Sequence, residues 1–167
     1  DRVEELVPPR KGRRHVLRIV RDALAFEPTG RGTSISAALR AVHQAVHKRC
    51  VLIVVSDFMD RDFEHDLRVA SLRHDAVAVE LVDPREYELP SVGLVELVDP
   101  ETGATQIVDS SDGAVRSAFA ASAVEARQRR LDLLRSAGVD VLSLRTDQEM
   151  FGPLMRFFRS RRRWTRR

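Results

Sequence analysis

"VLIVVSDFMD", residues 51–60, is the stretch that decides the fold. Its first five residues are apolar, four of them are β-branched, and the run ends in Ser56 and Asp57. A continuous apolar run of this length is typical of a strand that is covered on both faces, as the strands of parallel sheets are. The stretch therefore predicts an inner strand of a parallel sheet, with Asp57 at its carboxyl end.

Helices and further strands alternate around this run. Apolar residues recur at helical intervals before and after it, and two later runs, "AVAVELVD" and "VDVLSL", have the length of strands. The predicted helices cover residues 13–26, 34–48, 62–74 and 114–137, with a fifth after Asp147 as its cap, and the predicted strands cover residues 3–9, 50–57, 76–83 and 139–144. This alternation is the pattern of an open α/β sheet with flanking helices.

One segment departs from the alternation. "GLVELVDPETGATQIVD", residues 93–109, consists of two short apolar runs around the turn sequence "DPETG". Gly103 can take the positive φ that such a turn requires. The segment predicts a β-hairpin inserted between a strand and the long helix that follows.

The charge of the chain is unevenly distributed. The 167 residues include 28 basic and 25 acidic side chains, and seven of the arginines lie between Arg156 and Arg167. The rest of the chain therefore carries 21 basic against 25 acidic residues and is mildly acidic. A tail such as "RSRRRWTRR" can contact nucleic acid or anionic lipid. Because no basic face on the body accompanies it, we expect a solvated helix end, and nucleic-acid binding stays an alternative.

Membrane, redox and catalytic signals are weak. No stretch reaches the roughly 18 apolar residues of a membrane-spanning helix, and the first residues lack the features of a signal peptide. The single Cys50 excludes a disulfide within the chain and has no evident activating partner, so we expect a structural thiol and a cytoplasmic protein. His43 and His47 are spaced to share a metal but more often form a solvated helix face. A Gly-x-Ser-x-Gly hydrolase motif is absent.

Two oxygen-bearing side chains are predicted to meet at one rim of the sheet. Thr33 lies in "RGTSISAAL", where a loop enters the helix before the central strand, and Asp57 ends that strand. Ligands of open α/β sheets bind beyond the carboxyl ends of the strands, and a hydroxyl with a carboxylate suits Mg²⁺. The residues that flank this candidate metal pair are Gly32, Ser34, Ser56 and Asp60. The alternative is that Thr33 and Asp57 only cap helices.

The same residues resemble a known family. "GRGTSISAAL" followed by "VLIVVSDFMD" resembles the second and third motifs of a von Willebrand factor A-type domain, in which three loops form a metal-ion-dependent adhesion site. "SDFMD", "DPREYELPSVGLVELVDPETGATQIVD" and "GVDVLSLRTDQEM" are similar to the bacterial von Willebrand A-like proteins of domain-of-unknown-function family 58, typically encoded beside MoxR-type AAA+ ATPases. The resemblance implies a Rossmann-type, mostly parallel sheet over residues 1–158, a hairpin insertion at about 92–109, and a basic tail at 159–167.

The chain also departs from that family. The Asp-x-Ser-x-Ser motif of its first loop is absent, and in the family it ends a first strand that would lie upstream of residue 1. The resemblance therefore covers the carboxyl-terminal two-thirds of a family member, whose missing part could carry a membrane attachment. Weak or no Mg²⁺ binding is expected with Thr33 and Asp57 alone. The strand beside the missing one would expose an edge, which predicts self-association.

The resemblance implies a function in binding rather than catalysis. In the family, an acidic side chain of a partner completes the metal held by the loops, and here the partner would be a MoxR-type AAA+ ATPase or its protein client. The alternatives are a nucleic-acid-binding module that uses the arginine-rich tail, and an undetected hydrolase.

Overall fold

In the computed structural model, residues 2–8, 10–30, 32–98 and 104–164 are described. Of these, residues 162–164 are described for their backbone only. The helices are α1 (Arg13–Ala25), α2 (Ile35–Ala45), α3 (Glu64–Arg73), α4 (Gly113–Ser136) and α5 (Phe151–Trp164). The strands are β1 (Val51–Ser56), β2 (Asp75–Val82), β3 (Leu94–Val98), β4 (Thr105–Asp109) and β5 (Asp140–Arg145), and a 3₁₀ turn spans Pro84–Glu86. The predicted alternation of helices and strands is confirmed.

Three strands form a parallel sheet in the order β1-β2-β5. Val54, Ala78 and Val141 lie side by side across its middle. Because all three strands run in the same direction, their carboxyl ends form one rim of the sheet, with Ser56 and Val82 as neighbouring strand ends. The mixed α/β fold with a mostly parallel sheet flanked by helices is thus as predicted.

Helices cover the two faces of the sheet unequally. On one face, α2, α3 and α4 bury a core around β2 that includes Leu39, Leu67, Ala78 and Leu134. On the other face, the side chains of α5 pack against β2 and β5, through Leu154, Phe157 and Phe158 on Val77, Val79 and Leu144. Burial of these apolar side chains supplies most of the stabilisation of such a sheet.

The prediction that the 50–57 strand is covered on both faces is wrong. β1 is an edge strand of the described sheet, and the outward-facing Val51, Ile53 and Val55 are 46–58 % exposed. The reason is positional: α5 lies over β2 and β5 and leaves this side of β1 uncovered. The strand that meets the prediction is β2, in which six of eight residues are buried.

The segment before α1 does not form the predicted strand at 3–9. The described residues of that range have no strand pairing. Instead, the Glu4 carboxylate accepts hydrogen bonds from the N–H groups of Thr29 and Gly30, at 3.0 and 2.7 Å. The Thr29 hydroxyl, which donates to the same carboxylate at 2.6 Å, lowers the pKa of Glu4 most, and these two bonds lower it further. A side chain, rather than a strand ladder, therefore holds this segment.

Of the remaining local predictions, some are confirmed and one is wrong. The β3–β4 hairpin is confirmed, and the turn with Gly103 lies outside the described residues. Gly138 follows α4 with a φ of 76°, as a glycine at a helix end commonly does. Asp147 does not cap α5, because its carboxylate accepts from the Arg145 guanidinium, and Glu149 accepts from the N–H of Gly152 instead. Across the described part of the chain, every helix is too short or too polar to cross a membrane.

Candidate functional site

The loop after β1 is a tight, ordered turn. Phe58 and Asp62 both have positive φ, 55° and 60°, which is uncommon for residues other than glycine. Phe58 is nevertheless almost fully buried, and its ring packs against Phe63 with centroids 5.8 Å apart. Burial of the two rings offsets the backbone strain. The loop therefore presents its polar residues in a defined geometry.

Asp57 lies exposed at the start of this loop. Its Oδ1 accepts hydrogen bonds from the Met59 N–H at 3.1 Å and from the Ser56 hydroxyl at 3.3 Å. The Ser56 hydroxyl oxygen in turn accepts from the Phe58 N–H at 3.0 Å. These contacts fix the carboxylate within its own turn, and the side chain does not serve as the cap of α3, whose start carries no side-chain cap.

Asp60 connects this loop to the start of α2. Its Oδ2 accepts the Ile35 N–H at 2.6 Å, and its Oδ1 accepts the Arg61 N–H at 2.7 Å. A second link runs from the Ser36 hydroxyl to the backbone carbonyl of Asp62, at 3.0 Å. The loop after β1 is therefore bonded to the amino-terminal end of α2.

The predicted site residues consequently come from two segments that lie together. Gly32 and Thr33 immediately precede Ser34, and Thr33 is exposed. Ser34 caps α2, because its hydroxyl oxygen accepts the Ala37 N–H at 3.1 Å. The alternative in which Thr33 and Asp57 serve as helix caps is wrong, since Ser34 caps α2 and the start of α3 has no side-chain cap.

Further carboxylates gather near Asp57. Burial raises the pKa of Glu86, and the negative charges of Asp57 and Asp83 raise it further, while Arg130 opposes them. Glu86 belongs to the turn after β2, the neighbour of β1 in the sheet. The negative charges of Asp57 and Asp83 therefore act on Glu86, and the charge of Arg130 partly offsets them. Within the described residues, however, no three Asp, Glu, His or Cys side chains are placed to hold a metal ion together.

A buried ion pair lies one layer below the rim. Glu80 of β2 is 1 % exposed and receives two hydrogen bonds from Arg127 of α4, at 3.0 and 2.8 Å, and one from the Ser143 hydroxyl. Burial alone would raise the pKa of Glu80, but the bonds from Arg127 and Ser143 hold it below its usual value. Sequence reasoning missed this pair, and the available signal was one glutamate inside an apolar strand.

Two cavities open on either side of Tyr87. The larger, about 480 Å³, lies between α4 and α5 and includes Arg127 and Ser143 in its wall. The smaller, about 210 Å³, includes Met59, Glu86 and Arg130. Arg130 donates to the Tyr87 hydroxyl at 3.3 Å, and burial raises the pKa of Tyr87. Both cavities lie at the rim where open α/β sheets bind ligands.

Cys50 has a partner that the sequence did not reveal. Its Sγ lies 3.5 Å from Nδ1 of His74, which is 2 % exposed. Burial lowers the pKa of His74, and the charge of Arg73 lowers it further, so the imidazole is neutral near pH 7. The His43 ring accepts a hydrogen bond from Arg73, and in the part of the chain that the structure describes neither His43 nor His47 belongs to a group of three side chains that could hold a metal ion.

The fold and the rim define a class, an α/β domain with polar loops at the carboxyl ends of a parallel sheet. The chain belongs to the family described as "Protein of unknown function DUF58", whose model matches residues 1–129. The resemblance to family 58 is thereby confirmed.

The curated relatives are bacterial and uncharacterized. The chain is 35 % identical over 160 residues to uncharacterized protein Rv1480 of Mycobacterium tuberculosis, a match that covers 94 % of this chain and 50 % of the relative. It is 33 % identical to uncharacterized protein MAV169 of Mycobacterium avium, with 94 % of both chains covered. The chain thus spans about half the length of Rv1480 and of the other relatives that match it at 35 % identity. No solved structure matches.

Proposed function

We propose that this chain is a non-catalytic protein-interaction domain of the von Willebrand A type, in which Thr33 and Asp57 contribute to a metal-ion-dependent adhesion site. The supporting observation is the 2.6 Å bond from the Ile35 N–H to Asp60. It draws the segment that carries Thr33 to the loop that carries Asp57, at the rim where such folds bind ligands.

The donor set matches a magnesium ion in kind but not in number. The hydroxyl of Thr33 and the carboxylate of Asp57 are hard oxygen ligands, and Mg²⁺ takes six oxygens and usually keeps several waters. Both oxygens of Asp60 already accept backbone N–H groups, so Asp60 shapes the site rather than binds. The Asp-x-Ser-x-Ser motif that would add ligands is absent. We therefore propose weak or no magnesium binding by this chain alone, strengthened when a partner's acidic side chain adds an oxygen.

The proposed partner is a MoxR-type AAA+ ATPase or a protein that it remodels, in the bacterial cytoplasm. The edge of β1 offers a second way to bind. In the described sheet β1 pairs with β2 on one side only, so its outer edge, with exposed Val51, Ile53 and Val55, can pair with a strand of another chain, including a second copy. Nucleic-acid binding is less well supported, since Arg161 donates to Asp75 and Asp140 at 2.5 and 2.8 Å and is held against the sheet.

Capture of the ATPase tests the proposal. The immobilised chain should retain a MoxR-type AAA+ ATPase from the same genome in the presence of Mg²⁺ and release it when EDTA is added. Asp57→Asn and Thr33→Val should each reduce the retained amount at least about tenfold, because each removes a ligand for the ion. The matched control is Asp140→Asn, which removes an exposed carboxylate at the amino-terminal end of β5, the end of the sheet opposite the rim. Retention that is indifferent to EDTA and to both site variants would contradict the proposal.

A further inference from the structure

The excursion between β2 and α4 is strongly acidic. Residues 83–112 contain eight aspartates and glutamates and one basic residue, Arg85, in a chain whose net charge is +3. The β3–β4 hairpin forms the middle of this excursion. One hairpin face carries Leu94, Glu96 and Val98 from β3, opposite Asp109, Ile107 and Thr105 from β4. We call this set of six residues the outer hairpin face.

The root of the hairpin is firmly held. Ser110 is fully buried, and its hydroxyl donates to the Gly93 carbonyl at 2.6 Å and accepts the Val92 N–H at 3.1 Å. Arg116 of α4 donates to the Ser110 carbonyl at 2.7 Å. The hairpin is therefore attached to the domain through a hydrogen-bonded base, so its orientation is defined.

The outer hairpin face, in contrast, is open to solvent. Leu94 is 76 % exposed and Ile107 is 71 % exposed. A two-stranded hairpin is at best marginally stable by itself in water, and a rimmed patch of exposed apolar side chains commonly marks an interaction site. The acidic residues within and around the face favour a basic partner surface.

Helix α1 has the complementary character. All of its residues are described, and none is buried. Val16, Val20 and Leu24 recur at intervals of four and form an exposed apolar stripe, with Leu24 84 % exposed. The helix contains four arginines, and its one acidic residue, Asp22, already binds Arg18 and Arg21. Arg13 and Arg14, exposed at the start of the helix, add positive charge beside the stripe.

We propose that the apolar stripe of α1 in one copy of this chain docks on the outer hairpin face of a second copy. The sizes agree: five strand residues extend about 17 Å, and thirteen helical residues extend about 20 Å. Two paired strands are about as wide as one helix. The basic helix meets the acidic face, so charge favours the contact as well as apolar burial.

The contact occurs twice in the dimer. A specific interface buries about 1,200 Å² or more in total, and one helix on one hairpin covers less than that. If each copy gives its α1 to the hairpin of the other, the two contacts form a closed two-fold dimer. This dimer uses neither the adhesion rim nor the edge of β1.

Charge exchange between two variants tests the dimer. One variant carries Glu96→Lys and Thr105→Lys on the outer hairpin face, and leaves Asp109 intact because its carboxylate holds Ser111. The other carries Arg13→Glu and Arg14→Glu, and acidic residues in a first helical turn are compatible with the helix. Sedimentation velocity on the full chain should show a wild-type dimer, with dimerisation of each variant weakened at least about tenfold by like charges. An equimolar mixture of the two variants should dimerise again.

Three results would overturn the dimer. The first is a wild-type chain that stays monomeric at about 100 μM, because a specific dimer should have a lower dissociation constant. The others are variants that dimerise as well as wild type, and a mixture that stays monomeric although both variants keep the wild-type circular dichroism spectrum. Ile53→Lys, on the uncovered side of β1, is the control and should leave the dimer intact. Loss of the dimer in Ile53→Lys alone would instead place the contact at the sheet edge.

Discussion

Glu80 and Asp57 are carboxylates at the ends of neighbouring strands, yet their environments are opposite. Glu80 pairs in register with Ser56, the residue directly before Asp57. The carboxylate of Glu80 is buried and accepts hydrogen bonds from Arg127 and Ser143, so its hydrogen bonds stabilise the fold. Asp57 is exposed, and its carboxylate accepts hydrogen bonds from Ser56 and Met59 of its own turn. The comparison teaches that a carboxylate near a strand end is available for function only where the fold leaves it unburied.

The largest expected effect comes from removing the partner of the buried carboxylate. Arg127→Ala leaves Glu80 buried without its cation, so we expect the free energy of unfolding to fall by about 3–5 kcal/mol. Urea unfolding followed by circular dichroism measures it. The matched control is Arg129→Ala on the same helix, whose ion pair with Glu125 is exposed and should be worth less than about 1 kcal/mol. Equal losses in the two variants would show that Glu80 is not as isolated from water as its burial indicates.

The second-largest loss of stability is expected when the Asp60 carboxylate, which links the loop after β1 to the start of α2, is removed. Asp60→Ala removes the acceptor of the Ile35 and Arg61 N–H groups, and we expect a loss of about 1–2 kcal/mol in the free energy of unfolding. Asp66→Ala, which breaks only the exposed pair with Arg40, should cost less than about 1 kcal/mol. Faster hydrogen exchange of the Ile35 amide in Asp60→Ala alone would locate the effect at the start of α2.

The pH dependence of stability separates the two carboxylates further. The pKa of Glu80 lies below 4.5 in the folded state, so its stabilisation is fully present above that pH and is lost as the pH falls through the folded pKa. The difference in unfolding free energy between wild type and Glu80→Gln should therefore be constant above about pH 5.5 and shrink toward acid. A difference that grows on acidification would refute the assignment of the ion pair to Glu80.

Asp57→Asn should have the smallest effect on stability. The asparagine keeps the oxygen that accepts the Met59 N–H, so we expect a change of less than about 0.5 kcal/mol in the free energy of unfolding. A thermal unfolding scan measures it, and the same preparation serves for ATPase capture. A variant that is destabilised as strongly as Arg127→Ala would make Asp57 a structural residue and end the contrast with Glu80.

Local signals predicted the local structure well. The apolar runs of β2 and β5, the helical spacing of α1 and α4, and the turn-flanked hairpin were all predicted from short stretches of sequence, because period and turn chemistry are local properties. The cap of α2 is Ser34, the residue after the Thr33 that the alternative interpretation made a helix cap. The predicted cap of α5 failed because Arg145, at the end of the preceding strand, binds Asp147 instead.

Non-local contacts account for what was missed. The pairing of Glu80 with Arg127 joins residues 47 apart in sequence, and the contact of Cys50 with His74 joins residues 24 apart. Neither pair has a sequence motif. The packing of α4 on β2 brings Arg127 to Glu80, and the side-by-side alignment of β1 and β2 brings Cys50 to His74. The role of Asp60 at the start of α2 was likewise hidden, because a side chain 25 residues away in sequence meets that N–H only after folding.

From the sequence alone came the five helices, the strands after residue 50, the family, and the two oxygen-bearing residues of the candidate site, whereas the strand predicted at 3–9 does not form. Tertiary structure alone decided that β2 is the buried strand, that the Glu80 carboxylate forms an ion pair and that the Asp57 carboxylate stays exposed. The physical reason is that periodicity and turn chemistry act over a few residues. Burial and charge pairing depend on neighbours that the chain supplies from far along its length, as α5 does for β2 but not for β1.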